Sequence, residues 1–400
     1  MKFEELIAES KRWLGHVDRE AVAIVCATVL SPRSPGNLLW VFLVGPSGVG
    51  KTTLLEAIPK KSFAIAVSSV TSRSFVSGAY QDDHVDLLPK LKGLCLVVHD
   101  FSSVLAKPFH EREAIFTILR ECYDNRPISV RFGSIGEKKF SPVRFSFIAG
   151  CTSALDAYKS VSDALGQRNL ILRLRSNDEA VQNAQDTLGH EDESTRALAK
   201  AFRVFLRERT ASCRRDVVIR PMTRIVDRRW AQALAWARCP VSRDRQHHIQ
   251  FRPDPEVATR LVKQFGELRR LGAIILDVPP DDDQVTALVR RLARDSIPTE
   301  RLELLEILSS TIISTGKLVE RLRLPKSSVA EWLVDLWVLR IANRSQVNKE
   351  DIWAISESFH EKAADLLTMA EDANTTAPLP AKEIPAEVTR PKPTARRRRP

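Results

Sequence analysis

One short segment of the chain combines three glycines, a lysine and a threonine at spacings suited to binding phosphate. It matches the pattern GxxxxGK[ST] in full and reads Gly45, Pro46, Ser47, Gly48, Val49, Gly50, Lys51 and Thr52. Glycines there let backbone N–H groups turn inward around phosphate oxygens, and the lysine reaches the β- and γ-phosphates. The Thr52 hydroxyl is suited to binding Mg²⁺, and Thr53 follows at the start of a helix. The segment predicts a binding site for ATP with Mg²⁺.

The residues around this loop predict the elements that must hold it. An apolar run at 38–44 has the length of a strand, and 53–58 continues as a helix. Four more apolar runs of strand length, at 63–68, 94–99, 144–150 and 170–174, alternate with helical patterns. Such alternation is typical of an α/β fold, a parallel sheet with flanking helices.

A second anchor for Mg²⁺ is expected at the end of a neighbouring strand. Asp100 directly follows the apolar run at 94–99 and is the candidate, although an aspartate there can also be a turn residue or helix cap. Hydrolysis also needs a group that activates water, and many ATPases have a glutamate directly after this aspartate. Here Phe101 occupies that position. Glu111 and Glu113 are alternatives, but both also fit a solvated helical face.

Two further polar residues fall where they could reach the nucleotide. Thr152, preferred over Ser153, follows the strand at 144–150 and could hydrogen-bond the γ-phosphate or the attacking water; capping the next helix is the alternative. Arg168 precedes the last strand. From there it could reach the nucleotide of a neighbouring subunit and stabilise charge on the transferred phosphoryl group. A surface or salt-bridge role is the alternative for Arg168.

The order of these motifs resembles that of the AAA+ ATPases, and most closely the branch near the minichromosome-maintenance helicases and related bacterial and phage ATPases. The resemblance spans residues 38–341. It implies that Arg168 is an arginine finger, although Asn169 replaces the phenylalanine usual after it, and that Arg224 on a lid helix is a second sensor. It also implies that a hairpin within 124–140 contributes Lys138 and Lys139 to the pore of a ring, where plain solvated turn residues are the alternative.

A second unit is predicted between residues 298 and 358. Helical patterns at 301–310, 315–322 and 326–336 are followed by two possible strands at 338–342 and 352–355, which is the pattern of a winged helix. Its third helix would enter the DNA major groove with Lys326, Ser327 and Ser328 leading, and Arg344 would touch phosphate. Winged helices also bind proteins, so a protein partner is the alternative.

Charge supports a polyanionic partner. The chain has a net charge of +11, and residues 200–272 contain 18 Lys/Arg but only 7 Asp/Glu. The tail at 371–400 has six prolines and ends in an arginine run, so we expect it to be disordered. Six cysteines without a CxxC pair, and apolar runs too short to span a bilayer, indicate a cytoplasmic protein without a zinc site or membrane segment.

Together these features predict five segments: an N-terminal helical segment (1–36), an AAA+ core (37–180), a helical lid (181–297), a winged helix (298–358) and the basic tail (371–400). The expected function is an ATP-binding AAA+ ATPase that acts on DNA as an oligomer, with a ring expected, in the manner of a helicase or DNA-remodelling motor. The alternative is an ATP-gated regulator or loader that hydrolyses ATP slowly.

Overall fold

A five-stranded parallel sheet forms the centre of the molecule, with the order β2-β3-β6-β1-β7. Its strands are β1 (Trp40–Val44), β2 (Ala64–Val67), β3 (Cys95–Val98), β6 (Ser146–Cys151) and β7 (Leu170–Arg173). In this computed structural model the described residues are 1–14, 17–77, 86–132, 136–157, 165–175 and 189–368. The predicted α/β class and parallel sheet are confirmed, and each strand lies within two residues of its predicted bounds.

Both faces of the sheet are buried, because side chains of each strand alternate between two hydrophobic clusters. On β1, Val41 and Leu43 pack into one cluster, and Trp40, Phe42 and Val44 pack into the other. The parallel register pairs Trp40 with Phe147 on one side of β1, and Val41 with Leu170 on the other. The loops that follow the strands therefore lie along one edge of the sheet.

Helices cover both faces. In the N-terminal half they are α1 (Phe3–Leu14), α2 (Arg19–Leu30), α3 (Lys51–Glu56), α4 (Ser72–Phe75), α5 (Leu87–Lys90), α6 (Ser102–Leu105), α7 (Phe109–Tyr123) and α8 (Ala154–Ala157). Helix α2 begins at Arg19, where the Asp18 side chain accepts a hydrogen bond from the Ala21 amide, and it packs on β6. A separate antiparallel hairpin joins β4 (Ile128–Phe132) to β5 (Gly136–Phe140), as predicted.

Four long helices follow the sheet: α9 (Glu191–Thr210), α10 (Pro221–Ala237), α11 (Thr259–Leu276) and α12 (Asp283–Asp295). Helix α11 packs on α2, and α12 packs on β7. The Arg269 guanidinium on α11 is fully buried and pairs with Asp227 on α10, with its Nε 2.7 Å from the Asp227 Oδ2. A buried ion pair of this kind fixes the two helices in register, since removing either partner would strand the other charge.

The C-terminal elements are α13 (Thr299–Ser310), α14 (Thr315–Leu322), α15 (Lys326–Val338) and α16 (Glu357–Leu367), with β8 (Ile313–Ser314), β9 (Ala342–Val347) and β10 (Glu350–Ile355). The strands form one antiparallel sheet in the order β8-β10-β9. Two details differ from the sequence expectation. The sheet has three strands rather than two, and its β9 begins at Ala342 because Val338 still belongs to α15.

Met1–Thr368 forms one compact unit, in which a single hydrophobic cluster runs from α1 through the sheet to α16. The boundaries expected at residues 37, 181 and 298 remain predictions, and the predicted tail at 371–400 lies outside the described residues. Among the described residues, no helix is both long and apolar enough to cross a membrane.

Candidate functional site

The phosphate loop leaves β1 and enters α3 through backbone conformations that require glycine. Gly48 and Gly50 have φ values of +83° and +86°, in the left-handed region that L side chains avoid. At Gly45 an added Cβ would lie 2.9 Å from the Leu174 carbonyl oxygen, too close for any other residue. Three of the glycines singled out in the sequence are thus explained by backbone geometry alone.

Lys51 folds back over this loop. Its Nζ donates hydrogen bonds to the carbonyl oxygens of Gly45 (2.7 Å) and Pro46 (2.6 Å). Burial lowers the pKa of the Lys51 ammonium, and the thiol of Cys151 and the carboxylate of Asp100 act in the opposite direction. Carbonyl dipoles leave the ammonium its full charge, so the loop presents a cation together with its backbone N–H groups.

The remaining loop residues lie on the surface. Pro46, Ser47 and Thr52 are exposed, while Thr53 and Val49 are half-buried. Exposure of Thr52 beside Lys51 leaves its hydroxyl accessible to an ion or ligand bound in the loop.

Asp100 follows β3 at the same edge of the sheet, separated from β1 by β6. Its side chain is exposed, and its Oδ1 accepts a hydrogen bond of 2.9 Å from the Ser102 amide. One carboxylate oxygen is therefore fixed in orientation while the group remains accessible. Lys51 and Asp100, chosen separately from the sequence, lie close enough for the charge of Asp100 to act on the Lys51 pKa.

Phe101 is a core residue. It is 0% exposed and packs against Phe42 (ring centroids 4.9 Å apart), Phe147 and Phe116. Its side chain points away from the edge that bears Asp100, and a glutamate there would enter an aromatic core without a partner. The two alternatives for a base are engaged locally, Glu111 with Lys107 at 3.7 Å and Glu113 with Arg120 at 3.8 Å.

Strand β6 lies between β3 and β1, the strands that precede Asp100 and Lys51. Thr152 is half-buried, and its amide donates to the Ser102 Oγ at 3.4 Å. The Ser102 hydroxyl also lies 3.5 Å from the Cys151 Sγ, a thiol whose pKa burial raises. At Gly150, an added Cβ would lie 2.6 Å from the His99 carbonyl oxygen, so glycine is what lets β6 approach β3 here.

The sequence patterns alone indicate no role for Ser102 or Cys151. The signal for Ser102 was its position two residues after Asp100, where a hydroxyl can hydrogen-bond across to the next strand. For Cys151 the signal was its position as the last residue of the strand before Thr152.

Arg168 lies in a 3₁₀ turn, Gly166–Arg168, before β7 and is paired within its own chain. Its guanidinium donates to both carboxylate oxygens of Asp124, with distances of 2.6 and 3.2 Å. The Gln264 side chain donates to the Arg168 carbonyl at 3.0 Å, and the guanidinium of the half-buried Arg238 donates to the carbonyls of Gly166 and Asn169. The turn is thus clamped, and Arg168 corresponds to the salt-bridge alternative in the single chain.

Arg224 is exposed in the first turn of α10. Helix α10 packs on α11, α12 and α16, whereas the helix after the phosphate loop, α3, packs on β6 and on α9. The packing therefore brings α9, rather than α10, against the helix that follows the phosphate loop, and the sensor role of Arg224 remains a prediction.

The two hairpin lysines differ in setting. Lys138 is mostly buried and its Nζ lies 3.1 Å from the Oδ2 of Asp86, whose side chain is fully buried. Lys139 is 71% exposed and lies 3.1 Å from Glu137 on the same strand. Of the two, only Lys139 presents its ammonium to solvent.

At the C-terminal unit, Lys326 and Ser327 are exposed in the first turn of α15, and Ser328 is half-buried. Arg344 on β9 pairs with both carboxylate oxygens of Asp351 on β10, at 2.8 and 2.9 Å, and lies over the Trp353 ring. The start of α15 is therefore open to a ligand, whereas Arg344 already has an anionic partner.

No known family model matches the sequence, and no curated protein sequence matches it. Among solved structures, the chain is similar to a full-length MCM homolog from Methanopyrus kandleri (13% identity, 74% of this chain and 60% of that chain, TM-score 0.44). It is also similar to the ORC2 protein of Aeropyrum pernix, solved in ADPNP–ADP complexes (13% identity, 91% and 93%, TM-score 0.27). The aligned part spans 60% of the length of the Methanopyrus protein.

Proposed function

We propose that this protein is an AAA+ ATPase that binds ATP with Mg²⁺ at the phosphate loop and acts on DNA as an oligomer. The observation that supports it most directly is the shared edge of the sheet, where Lys51, Asp100 and Thr152 follow three neighbouring strands. Polyphosphate needs a cation and inward N–H groups, and a hydrated Mg²⁺ needs a nearby carboxylate. At this edge Lys51 supplies the cation and Asp100 the carboxylate.

Mg²⁺ fits the donors at this edge. Thr52 and Asp100 would hold it together with phosphate oxygens, since Mg²⁺ is usually bound by one or two protein oxygens plus substrate phosphates and water. Among the described residues no group of three or more His, Cys, Asp or Glu forms a self-sufficient metal site, which agrees with a metal brought in with the nucleotide. When bound, it would neutralise charge on the β- and γ-phosphates.

In the proposed mechanism, groups of this chain bind the triphosphate and orient the attacking water. The loop amides and Lys51 bind the triphosphate, and Thr152 orients water or the γ-phosphate. Arg168 of a neighbouring subunit approaches the transferred group after exchanging Asp124 for phosphate. A DNA duplex binds the start of α15 through Lys326 and Ser327, and Lys139 contacts the strand within the ring.

A second candidate function is an ATP-gated regulator or loader with slow hydrolysis, whose C-terminal winged helix recruits DNA or a protein. One observation favours it: Phe101 fills the core where a catalytic glutamate is common, and Glu111 and Glu113 are held in local ion pairs. Without a base that activates water, the bound triphosphate would persist and act as a switch.

The deciding experiment is the ATPase rate with and without single-stranded and duplex DNA, with the oligomeric state measured on the same sample. A motor should show DNA-stimulated turnover in the oligomer. Tight ATP binding with a DNA-independent, slow rate would instead support the switch. Absence of ATP binding in the presence of Mg²⁺ would contradict both.

A further inference from the structure

An open cavity of about 520 Å³ lies at the far end of α15 from Lys326. Its walls come from the end of α15, the start of β9 and the segment around residue 250, and they contain two aromatic rings and two arginines but no carboxylate. The lining residues are Ile249, Phe251, Arg252, Trp337, Val338, Arg340, Ala342 and Asn343. We infer that this cavity binds the bases of a single-stranded nucleic acid, with Phe251 and Trp337 as stacking platforms.

Both rings are unusually accessible for their size. Phe251 is 59% exposed and Trp337 is 47% exposed, although large apolar side chains elsewhere in α15, such as Leu333 and Leu336, are fully buried. Exposed aromatic rings that line one cavity are costly in water unless a partner covers them. Base faces are suitable partners because every base presents a flat π-surface, which makes stacking independent of sequence.

The backbone conformation of Arg340, at the end of α15, also supports a role in binding. Helix α15 ends in a Schellman motif, in which the Ile341 amide donates to the Leu336 carbonyl at 2.8 Å and the Arg340 amide to the Trp337 carbonyl at 2.9 Å. Arg340 is in the left-handed position, with φ of +59°, where glycine is preferred. The chain tolerates this strain at a residue that lines the cavity, which is expected if the side chain has a role in binding.

The opposite wall is fixed in place by buried contacts. The Arg243 guanidinium lies 2.6 Å from the Asp335 carboxylate on α15, and Arg301 donates to the same carboxylate. The segment then folds back, since the Gln250 amide donates to the Ser242 carbonyl at 3.1 Å. Phe251 and Arg252 are therefore held beside Trp337 by contacts that do not involve the cavity itself.

The charges favour nucleic acid over a protein partner. The two arginines on the walls can pair with phosphates, and the chain as a whole has a net charge of +11. A single strand fits better than a duplex, because bases within a duplex are stacked on one another and hide their faces. A second open cavity, lined by Arg228, Arg229, Gln232, Glu361 and Lys362, is basic but has no aromatic ring and lacks this chemistry.

This site shares a nucleic-acid partner with the proposed function but uses different residues and does not need ATP. The start of α15 is separated from Trp337 by eleven residues, or roughly 16 Å at the helical rise. Duplex binding at Lys326 and single-strand binding at Trp337 can therefore succeed or fail independently. One protein could hold a duplex at one end of this helix and an adjoining single strand at the other.

The test is the affinity of the full chain for a labelled oligothymidylate of about 16 nucleotides, within the usual size of one single-strand site. Trp337→Ala or Phe251→Ala should weaken binding about 5- to 150-fold, the range for losing one stacked base. Trp337→Phe should largely restore affinity. An oligouridylate of the same length distinguishes RNA from DNA as the strand bound.

Arg340→Gly should weaken single-strand binding and lower the slope of log affinity against log salt by about 0.7, while leaving thermal stability unchanged or raised. The matched control is Arg323→Gly, since Arg323 is also a left-handed arginine (φ of +54°) at the end of a helix, α14, but lies outside the cavity. Arg323→Gly should leave single-strand affinity within about twofold of the wild-type value, because Arg323 lies outside the cavity and fewer phosphate contacts are lost than in Arg340→Gly.

Three results would overturn the inference. One is single-strand affinity unchanged in Trp337→Ala and Arg340→Gly. Another is equal losses in Arg340→Gly and Arg323→Gly, which would indicate non-specific attraction to a basic surface. The third is a changed oligomeric state in Trp337→Ala with unchanged affinity, which would assign the rings to an interface between copies. ATP binding by Trp337→Ala, measured in parallel, should stay normal, so the outcome does not depend on the nucleotide site.

Discussion

Two regions of the molecule each hold a cationic side chain predicted to act on phosphate, and they hold it in opposite ways. At the phosphate loop, the Lys51 ammonium donates hydrogen bonds to the carbonyl oxygens of Gly45 and Pro46. Before β7, the Arg168 guanidinium is neutralised by both oxygens of Asp124. The first cation keeps its charge for a ligand, whereas the second has an anion already bound.

This difference implies that ATP binding and ATP turnover have different requirements. A triphosphate can displace carbonyl dipoles from Lys51 at small cost, because those carbonyls can return to water. Arg168 must give up a charge-assisted bidentate pair before it can reach a phosphate, and such pairs are among the stronger hydrogen bonds in proteins. We therefore expect nucleotide binding to be a property of the single chain, and any action of Arg168 to depend on contact with a neighbouring subunit.

Lys51→Ala should have the largest effect of the substitutions in these two regions. Removing the ammonium should abolish ATP binding and reduce turnover by at least about 10³-fold, because it removes the preorganised cation at the β- and γ-phosphates. Binding is measured with a fluorescent ATP analogue and turnover by phosphate release.

The control is Lys60→Ala, which removes an exposed lysine just beyond α3 and the same formal charge. It should bind ATP like the wild type. Normal ATP binding by Lys51→Ala would mean that the loop does not bind phosphate, and the nucleotide assignment would be lost with it.

Next in size is the effect of Arg168→Ala on the assembled protein. ATP binding by the single chain should be unchanged, while turnover by the oligomer should fall about 10²- to 10³-fold, the usual loss when one charge-stabilising donor is removed. Mixing this variant with Lys51→Ala subunits should restore part of the activity, since the Lys51 variant still supplies an intact Arg168 to its neighbour.

Rates are compared across mixing ratios at fixed total protein. If Arg168→Ala alone has wild-type turnover in the oligomer, Arg168 is only a structural partner of Asp124, and the difference between the two regions has no catalytic meaning.

Features that depend on neighbouring residues could be predicted from the sequence, whereas contacts between residues far apart in the sequence could not. The glycines of the phosphate loop and the strand and helix beside it lie within about twenty residues of one another. One sequence pattern therefore predicts all of them. The partners of Arg168 are not local, since Asp124 and Gln264 lie 44 and 96 residues away, and no spacing rule links them. The same holds for Phe101, whose core position depends on Phe42 and Phe147 from two other strands.

The strands of the parallel sheet and the long helices after it were predicted within a few residues because each element has its own period of apolar residues. The strand expected at 338–342 was wrong, because this segment is the end of α15 and the turn after it, and β9 begins at Ala342. The third strand of the C-terminal sheet was missed because β8 is two residues long and has no period to detect. Its pairing with β10, Ile352 opposite Ser314, depends on the packing of α13 and α14 around it rather than on its own composition.

Asp124→Asn should have a small effect, and it tests directly whether the carboxylate restrains Arg168. Asparagine keeps the shape but removes the charge, so the variant should lose about 1–3 kcal/mol of the free energy of unfolding. Freed from the carboxylate, Arg168 should raise the turnover of the oligomer a few-fold. Glu111→Gln is the control, because its exposed pair with Lys107 contributes about 0.3–0.5 kcal/mol.

The pH dependence of the free energy of unfolding tests whether the charge of Asp124 causes this loss of stability. Burial raises the pKa of the Asp124 carboxyl, but the hydrogen bond and charge of Arg168, together with the charges of Arg260 and Arg126, hold that pKa below its ordinary value. A lowered carboxyl pKa contributes stability above about pH 4 that is lost as the pH falls through the folded-state value. The stability gap between wild type and Asp124→Asn, measured by urea unfolding, should therefore be constant from neutral pH to about pH 5 and close in stronger acid. A gap that persists at low pH would show that the carboxylate charge is not the cause of the stability difference. A fall in turnover equal to that of Arg168→Ala would make Asp124 the residue that positions Arg168 for catalysis.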